Sequence, residues 1–215
     1  DGLIYSHFQG IINLLQILNL KKIKKFIQIG SSAEYGNTKS PIKETTICKP
    51  KTPYAIAKFS CSKYLMELFK KNKFPVTIFR LFQVYGPKQD ENRIIPYLIK
   101  NCLKNKNFNT TDGKQICDFC YIDDVINAIF KAIDNKKING KIFNIGSGET
   151  ISIKKVINSV VQKIGKGKAN FGKLNYKKGI NKNNFPNINK AKKELNWIPK
   201  VNFYYGITKT IRSFK

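Results

Sequence analysis

Residues 24–81 decide the fold of this chain. They begin KKFIQIGSS (24–32), continue with YAIAKFSCSKYLMELFKK (54–71) and end PVTIFRL (75–81). The aliphatic and aromatic residues at the two ends predict buried strands over 24–29 and 76–81, and the broad apolar face of the middle stretch predicts a long helix. A strand, a helix and a second strand in this order are typical of two parallel strands joined by a crossover.

The same alternation continues on both sides of this stretch. Apolar residues at helical spacing predict a helix over 8–19, and further elements follow the second strand. These are a helix over 94–103, a strand over 116–122, a helix over 125–133, a strand over 142–145, a helix over 156–164 and a short helix near 190–195. Strands that alternate with helices of this length predict an α/β fold with a parallel sheet. The last fifty residues are rich in Lys, Asn and Gly and predict a smaller appended lobe.

The composition is that of a globular protein with a large basic excess. Of the 215 residues, 41% are hydrophobic, and 40 Lys and Arg against 13 Asp and Glu give a net charge of +27. Such an excess is typical of proteins that bind nucleic acid. Only Arg80, Arg93 and Arg212 are arginines, however, and base and phosphate recognition favours arginine. We therefore expect no nucleic-acid partner, and a basic nucleic-acid-binding protein remains the alternative.

The sequence also bears on compartment and on metal chemistry. No apolar run approaches the roughly 18 residues of a membrane span, and no signal peptide is visible, so we expect a cytoplasmic protein with no membrane partner. Five cysteines, an odd number, indicate a reducing compartment. Cys117 and Cys120 form a C-x-x-C pattern, but on a strand they would point to opposite faces, so we interpret them as buried apolar residues. His7 is the only histidine, so we expect no metal site.

Three side chains near the two strands could carry proton chemistry. Tyr54 and Lys58 are four residues apart on the predicted helix and therefore share one face. A nearby ammonium lowers the pKa of a phenol from about 10 toward working pH, so that Tyr54 could act as a general base. Ser31 follows the first strand, at the end of a parallel sheet where ligands bind. A surface tyrosine and a solvated lysine remain the alternative for this pattern in a lysine-rich chain.

Seven segments, in order along the chain, resemble the extended short-chain dehydrogenase/reductase family, in its nucleotide-sugar epimerase/dehydratase branch. They are GIINLL (10–15), GSSAEYG (30–36), TPYAIAK (52–58), RLFQVYGP (80–87), DFCYIDDV (118–125), FNIGSG (143–148) and KKELNWIP (192–199). The resemblance implies an α/β fold with a Rossmann-like parallel sheet and a smaller C-terminal substrate-binding lobe. Residues 1–85 would be the C-terminal part of the dinucleotide-binding domain. Residues 86–215 would mainly form the substrate lobe, with about 116–146 returning to the sheet.

The resemblance also implies a role for each matching residue. The expected catalytic residues are Ser31, Tyr54 and Lys58. The expected cofactor contacts are His7, Gly30, Ser31, Tyr54, Lys58 and Phe82, with His7 in the place of an asparagine that often touches the cofactor. The expected substrate contacts are Ser32, Gln83, Lys114 and Lys177. The implied cofactor is NAD, with NADP left open, the implied substrate is a nucleotide sugar, and the implied assembly is a homodimer.

Two departures from the family pattern shape the expected activity. Ser32 and Ala33 stand where 4,6-dehydratases carry an acidic pair, so the resemblance favours a 4-epimerase or a 4-keto reductase over a dehydratase. The glycine-rich fingerprint G-x-x-G-x-x-G, which seats the cofactor pyrophosphate on a helix N-terminus, does not occur in the 215 residues. Such folds begin with a strand whereas this chain begins with a helix, so we expect an N-terminally truncated chain. An inactive fragment without its pyrophosphate-binding half is therefore a second alternative.

Overall fold

A computed structural model of the chain describes residues 2–176 and 181–214. The chain forms two compact units, each assembled from three stretches of sequence. The stretches of the first unit are Asp1–Phe82, Ile126–Ile145 and Pro186–Ile198, and those of the second unit are Gln83–Val125, Gly146–Phe185 and Pro199–Lys215. Within the described ranges, no helix combines the length and the apolar character that crossing a membrane requires.

The elements are numbered along the chain. The strands are β1 (Phe26–Ser31), β2 (Val76–Leu81), β3 (Gln83–Tyr85), β4 (Asn107–Asn109), β5 (Ile116–Cys117), β6 (Phe119–Tyr121), β7 (Lys141–Ile145), β8 (Ile151–Ser152), β9 (Lys168–Asn170) and β10 (Asn183–Asn184). The helices are α1 (Gly2–Ile4), α2 (Gly10–Ile17), α3 (Pro53–Asn72), α4 (Ile94–Leu103), α5 (Ile122–Ile133), α6 (Ile153–Ile164), α7 (Asn189–Glu194) and α8 (Phe203–Arg212). A π-helical turn, Tyr5–Gln9, joins α1 to α2, and 3-10 turns occupy Leu20–Lys22, Ser32–Tyr35 and Lys136–Ile138.

The first unit contains a parallel sheet in the order β1-β2-β7. The strand–helix–strand stretch β1-α3-β2 pairs in parallel as predicted, with Ser31 opposite Leu81 and Leu81 opposite Ile145. All three strands therefore present their carboxyl ends at one edge of the sheet. The buried cluster on this sheet consists of Leu15, Leu65, Phe74, Val76 and Ile78. The sheet, its parallel order and the long helix confirm the α/β prediction.

The second unit is built on short strands and three helices. Strand β5 pairs with β10 in parallel and with β8 in antiparallel orientation, whereas β3 pairs with β6 and β4 with β9. Helices α4, α6 and α8 contribute side chains to one buried cluster, in which Tyr85 contacts Phe119, Tyr121 and Phe203. A Cβ at Gly206 would lie 2.2 Å from the Tyr85 hydroxyl oxygen, so glycine at this position allows α8 to approach.

The largest departures from the prediction are one strand that the structure divides and one helix that was not predicted. The strand predicted over 116–122 is wrong, because Asp118 separates β5 from β6 and the two strands pair with different partners. Its last residue, Ile122, begins α5 instead. Helix α8 was not predicted, because the segment from Phe203 to Arg212 exposes two of its aromatic side chains, Tyr204 and Tyr205. Its apolar residues become a core face only against Tyr85 and its neighbours.

Candidate active site

The first turn of α3 places Tyr54 and Lys58 beside β1. Thr52 caps the helix, because its hydroxyl oxygen accepts the Ala55 N–H at 3.2 Å, and Pro53 occupies the first helical position. The Lys58 ammonium donates to the Ile29 carbonyl of β1 at 3.1 Å and lies 5.9 Å from the centroid of the Tyr54 ring. Both side chains are half-buried. The strand carbonyl thus fixes the ammonium next to the phenol ring.

Ser31 ends β1, two residues after the carbonyl that holds Lys58. Its hydroxyl oxygen accepts the Ala33 N–H at 3.2 Å and so caps the turn Ser32–Tyr35. Ser32 is the next residue and is also half-buried. The structure therefore brings Ser31, Tyr54 and Lys58 to the carboxyl end of one strand.

His7 packs against the proposed general base. Its ring lies edge-on to the ring of Tyr54, with 5.4 Å between centroids and 78° between planes. Its backbone carbonyl accepts the thiol of Cys61 at 3.3 Å. Burial and the charge of Lys58 both lower the pKa of His7 below its ordinary value, so the imidazole is neutral at pH 7.

Gly30 lies against a buried ion pair that the sequence analysis did not identify. A Cβ at Gly30 would lie 2.5 Å from the Glu34 carboxylate and 3.3 Å from the Phe79 carbonyl. Glu34 pairs with Arg80, whose Nε lies 2.9 Å from the carboxylate, and both side chains are inaccessible to solvent or nearly so. The signal for Glu34 was present in the sequence, because Ser31-x-x-Glu34 is the signature of a capping box.

Phe82 follows β2 and is buried with Tyr35 and Ile42. Its N–H donates to the Ile145 carbonyl at 3.0 Å, which continues the pairing of β2 with β7 by one residue. The aromatic side chain is 6% exposed. Phe82 is therefore a packed residue at the same edge of the sheet as Ser31.

In the second unit, Gln83 lines a cavity of about 240 Å³ beside the start of α4. Gln89, Asn92 and Arg93 also line this cavity. Helix α4 begins without a side-chain cap, and the buried Oε1 of Gln89 has no hydrogen-bond partner, although its Nε2 donates to Val84 at 2.7 Å. Arg93 and Gln89 could not be identified as site residues from the sequence, since neither belongs to a local motif that points to a ligand.

The two lysines predicted as substrate contacts have different outcomes. The side chain of Lys114 is 83% exposed, is paired with Asp112 at 3.7 Å and does not line the cavity beside α4. Lys177 lies outside the described residues.

A second buried carboxylate holds the Gly146–Gly148 loop. Asp118 accepts the N–H groups of Ser147 at 2.6 Å and Gly148 at 2.7 Å. Burial raises the pKa of Asp118 to about 6, although both N–H groups favour the charged form. The Gly-x-Gly pattern in the sequence is thus a structural loop closed by Asp118.

The C-x-x-C cysteines are free and buried. Burial raises the pKa of Cys117 to about 11 and also raises that of Cys120, so both are protonated thiols at neutral pH. Over the residues that the structure describes, no group of three or more His, Cys, Asp or Glu side chains could hold a metal ion.

The parallel sheet, with polar side chains at the carboxyl ends of its strands, defines a Rossmann-type α/β protein. The chain belongs to the NAD dependent epimerase/dehydratase family, whose family model matches residues 1–146.

Named relatives carry different activities. The chain is 31% identical over 209 residues to a UDP-glucuronate 4-epimerase of Thermodesulfobacterium geofontis (strain OPF15), in an alignment that covers 96% of this chain and 64% of that protein. It is 31% identical over 229 residues to a UDP-N-acetyl-α-D-glucosaminuronate decarboxylase of Bacillus cytotoxicus (strain DSM 22905 / CIP 110041 / 391-98 / NVH 391-98), covering 99% of this chain and 70% of that protein. The chain spans about two thirds of the length of the curated relatives it matches.

A solved structure shares the fold along almost the whole chain. The UDP-glucuronic acid 4-epimerase from Bacillus cereus, crystallised with UDP-glucuronic acid and NAD, is 31% identical to this chain with a TM-score of 0.87. The match covers 98% of this chain and 66% of that chain.

Proposed function

We propose that the protein carrying these 215 residues is an NAD-dependent nucleotide-sugar 4-epimerase or 4-keto reductase, with NADP left open as the cofactor. The observation that carries this proposal is the position of the Lys58 ammonium. It donates to the Ile29 carbonyl and lies 5.9 Å from the centroid of the Tyr54 ring. It gives the Tyr/Lys pattern a fixed geometry at the end of β1, where ligands of parallel sheets bind. Family membership and the 4-epimerases among the relatives support the same assignment.

In this proposal, Tyr54 takes the proton from the sugar 4-hydroxyl while Ser31 donates a hydrogen bond to the reacting oxygen. Lys58 places a positive charge beside Tyr54 and so stabilises the phenolate that accepts this proton and becomes a phenol, because Ile29 fixes the ammonium in place. When bound, NAD supplies the acceptor for the hydride that leaves C4 and the donor that returns it to the other face. Tyr54 then returns the proton to the oxygen, so the epimerisation is redox-neutral. A 4-keto reductase would use only this second half.

The residues around Tyr54 fit the nicotinamide end of the cofactor. An ammonium has three N–H donors, and Ile29 accepts one of those of Lys58, so ribose hydroxyls could accept the others. The neutral ring of His7, which packs against Tyr54, would complete the contact together with the Gly30 backbone and Phe82 at the carboxyl edge of the sheet. The glycine-rich fingerprint that would bind the cofactor pyrophosphate does not occur in these 215 residues.

The environment of Glu34 favours epimerisation or reduction over dehydration. A dehydratase needs a carboxyl group to protonate the leaving hydroxyl. Ser32 and Ala33 supply none, and the neighbouring Glu34 is fully buried and paired with Arg80. We infer that this carboxylate does not reach a substrate.

For the second unit, we propose that the cavity beside α4 binds the diphosphate of the nucleotide sugar. The free N–H groups at a helix start attract anions, and Arg93 adds a guanidinium. Gln83 lines the same cavity, as expected of a substrate contact. Lys114, Lys177 and Ser32 stay predicted contacts. We also retain the division into a dinucleotide-binding part over 1–85 and a substrate lobe over 86–215, with about 116–146 returning to the sheet.

The homodimer stays a proposal as well. Leu14, Ile17, Ile56 and Tyr64 expose apolar surface on α2 and α3. A molar mass of one chain in light scattering at micromolar concentration would contradict it.

The activity test compares Tyr54→Phe with Tyr64→Phe, an exposed tyrosine on the same helix. The protein is incubated with NAD and UDP-glucuronic acid or UDP-glucose, and the 4-epimers are separated by chromatography. We expect Tyr54→Phe to lower kcat by about 10²-fold or more, since general acid–base catalysis contributes 10²–10⁴-fold, and Tyr64→Phe to have no effect. Near-normal turnover by Tyr54→Phe would contradict the assignment. Net consumption of reduced cofactor with a 4-keto sugar would identify the reductase.

A further inference from the structure

The Glu34–Arg80 pair is costly to bury. Glu34 has no accessible surface, and Arg80 is 3% exposed. By contrast, Lys141 and Glu194 in the same unit pair at 2.8 Å with side chains 39% and 38% exposed. A buried ion pair adds little stability over apolar residues of the same volume, and its best-attested use is to fix a specific arrangement. The question is therefore what arrangement this pair fixes.

On one side, the pair holds the backbone of Ser31. One oxygen of Glu34 accepts the Ser31 N–H at 2.9 Å, and the other accepts Arg80 Nε at 2.9 Å. The Ser31 hydroxyl oxygen accepts the Ala33 N–H in return. Gly30 leaves the space that the carboxylate occupies. Ser31 is thus tied to Glu34 through its N–H and to Ala33 through its hydroxyl oxygen.

On the other side, the pair is anchored across the sheet. Gly30, Arg80 and Asn144 lie opposite one another on β1, β2 and β7. The Arg80 guanidinium stacks on the ring of Tyr35 at 4.5 Å, and the Tyr35 hydroxyl donates to Asn144 at 2.7 Å. Burial raises the pKa of Tyr35 to about 12, although Arg80 acts in the opposite direction, so this hydroxyl keeps its proton. The Asn144 N–H donates to Glu44 at 2.9 Å.

We infer that Glu34 and Arg80 form a positioning pair that fixes the Ser31 backbone at the carboxyl end of β1. Neither residue touches the reacting atoms. Glu34 acts through the Ser31 N–H, and Arg80 holds Glu34 in place from the neighbouring strand. The inference rests on the proposed function, because Ser31 is the group that is positioned.

The test is a double-mutant cycle of Glu34→Gln and Ser31→Ala, with Glu194→Gln as the matched control in an exposed pair. Glu34→Gln keeps the shape and one acceptor but removes the charge. We expect it to lower kcat about tenfold with KM unchanged, and to have no further effect in the Ser31→Ala background. Glu194→Gln should leave kcat unchanged. An unchanged kcat in Glu34→Gln, or an equal loss in both backgrounds, would overturn the inference.

A second measurement does not depend on activity. The amide proton of Ser31 donates to a carboxylate, so its NMR resonance should lie downfield and move upfield in Glu34→Gln. If the protein catalyses nothing, the proposed function fails while this shift still decides whether Glu34 holds Ser31. If the Ser31 amide resonance did not move in Glu34→Gln, the inference that Glu34 and Arg80 position Ser31 would be overturned. If Glu34→Gln does not fold, Arg80→Lys makes the same comparison, because a lysine keeps the charge and loses the planar Nε donor.

Discussion

Two buried carboxylates, one in each unit, hold the backbone that follows a strand. Glu34 holds the turn after β1, and Asp118 holds the loop after β7. Glu34 accepts the backbone N–H of Ser31, and Asp118 accepts the backbone N–H groups of Ser147 and Gly148. Glu34 also faces the guanidinium of Arg80 at 2.9 Å. The two sites thus differ in how the buried negative charge is compensated.

This difference shows how far backbone N–H groups can offset the cost of burying a carboxylate charge. Two short hydrogen bonds do not offset the burial of Asp118, because its pKa is still raised to about 6. A full opposite charge does more than two peptide dipoles, and Arg80 supplies one to Glu34. We therefore expect the stability of the first site to depend on Arg80 and the stability of the second site to depend on pH.

The largest effect should follow from removing the partner at the first site. Arg80→Met leaves Glu34 buried without its guanidinium, and we expect a loss of about 3–5 kcal/mol in the free energy of unfolding. Denaturant unfolding measures it. The double variant Glu34→Leu/Arg80→Met should recover most of the loss, because it removes both charges.

The matched control for Arg80→Met is Lys141→Met, which breaks the exposed pair with Glu194. We expect a change below about 1 kcal/mol there, since solvent screens exposed pairs. Equal losses in Arg80→Met and Lys141→Met would remove the distinction between the buried and the exposed pair.

At the second site, stability should fall as pH rises. The pKa of Asp118 is raised from 3.8 to about 6 in the folded protein, so the folded state holds this proton more tightly than the unfolded chain. Its contribution is fully present below pH 4 and is lost as pH rises through 6. The rise of about two units corresponds to about 3 kcal/mol. Unfolding measured between pH 4 and pH 7 checks this.

The variant that removes this dependence is Asp118→Asn, which does not titrate. Its free energy of unfolding should fall less between pH 4 and pH 7 than that of the wild type. Asp123→Asn, at an exposed carboxylate paired with Lys209, should follow the wild-type profile. A wild-type slope in Asp118→Asn would show that other groups carry the pH dependence.

A smaller effect should follow from filling the space at Gly30. A Cβ there would lie 2.5 Å from the Glu34 carboxylate and 3.3 Å from the Phe79 carbonyl, and the backbone atom cannot move aside easily. We expect Gly30→Ala to cost about 1–3 kcal/mol in thermal or denaturant unfolding. Gly10→Ala is the control, because nothing lies within 4 Å of its Cβ and alanine favours the helix. If Gly30→Ala left the free energy of unfolding unchanged, the Glu34 carboxylate would not need the space beside Gly30.

Much of this fold could be predicted from local patterns. Strand β2 and helix α4 have the predicted bounds, because β2 is a short, buried and mainly apolar run and α4 carries an apolar face at helical spacing. The break at Asp118 could not be predicted, since an acidic residue between apolar ones also fits one continuous strand. Only its hydrogen bonds to Ser147 and Gly148, about thirty residues away, end the pairing there.

The candidate site divides in the same way. Tyr54, Lys58 and Ser31 were identified from a short motif and a family resemblance, and the structure brings them to one strand end. No role was predicted for Arg80, because its role depends on Glu34, forty-six residues earlier in the chain. Pairing across that distance is set by the register of β1 and β2.

The smallest effects on stability should come from the two serines at these junctions. In Ser31→Ala and Ser147→Ala, the backbone N–H that reaches the carboxylate is retained. Ser31→Ala loses the hydroxyl contact with the Ala33 N–H, and Ser147→Ala loses the two hydroxyl contacts with the Glu149 backbone. We expect each to cost about 1 kcal/mol or less in unfolding measurements. Only Ser31→Ala should lower kcat, because only Ser31 is proposed to touch the substrate. If either serine variant lost more free energy of unfolding than Gly30→Ala, the hydroxyls rather than the buried carboxylates would stabilise these junctions. If Ser147→Ala lowered kcat as much as Ser31→Ala, the proposed contact of Ser31 with the substrate would be contradicted.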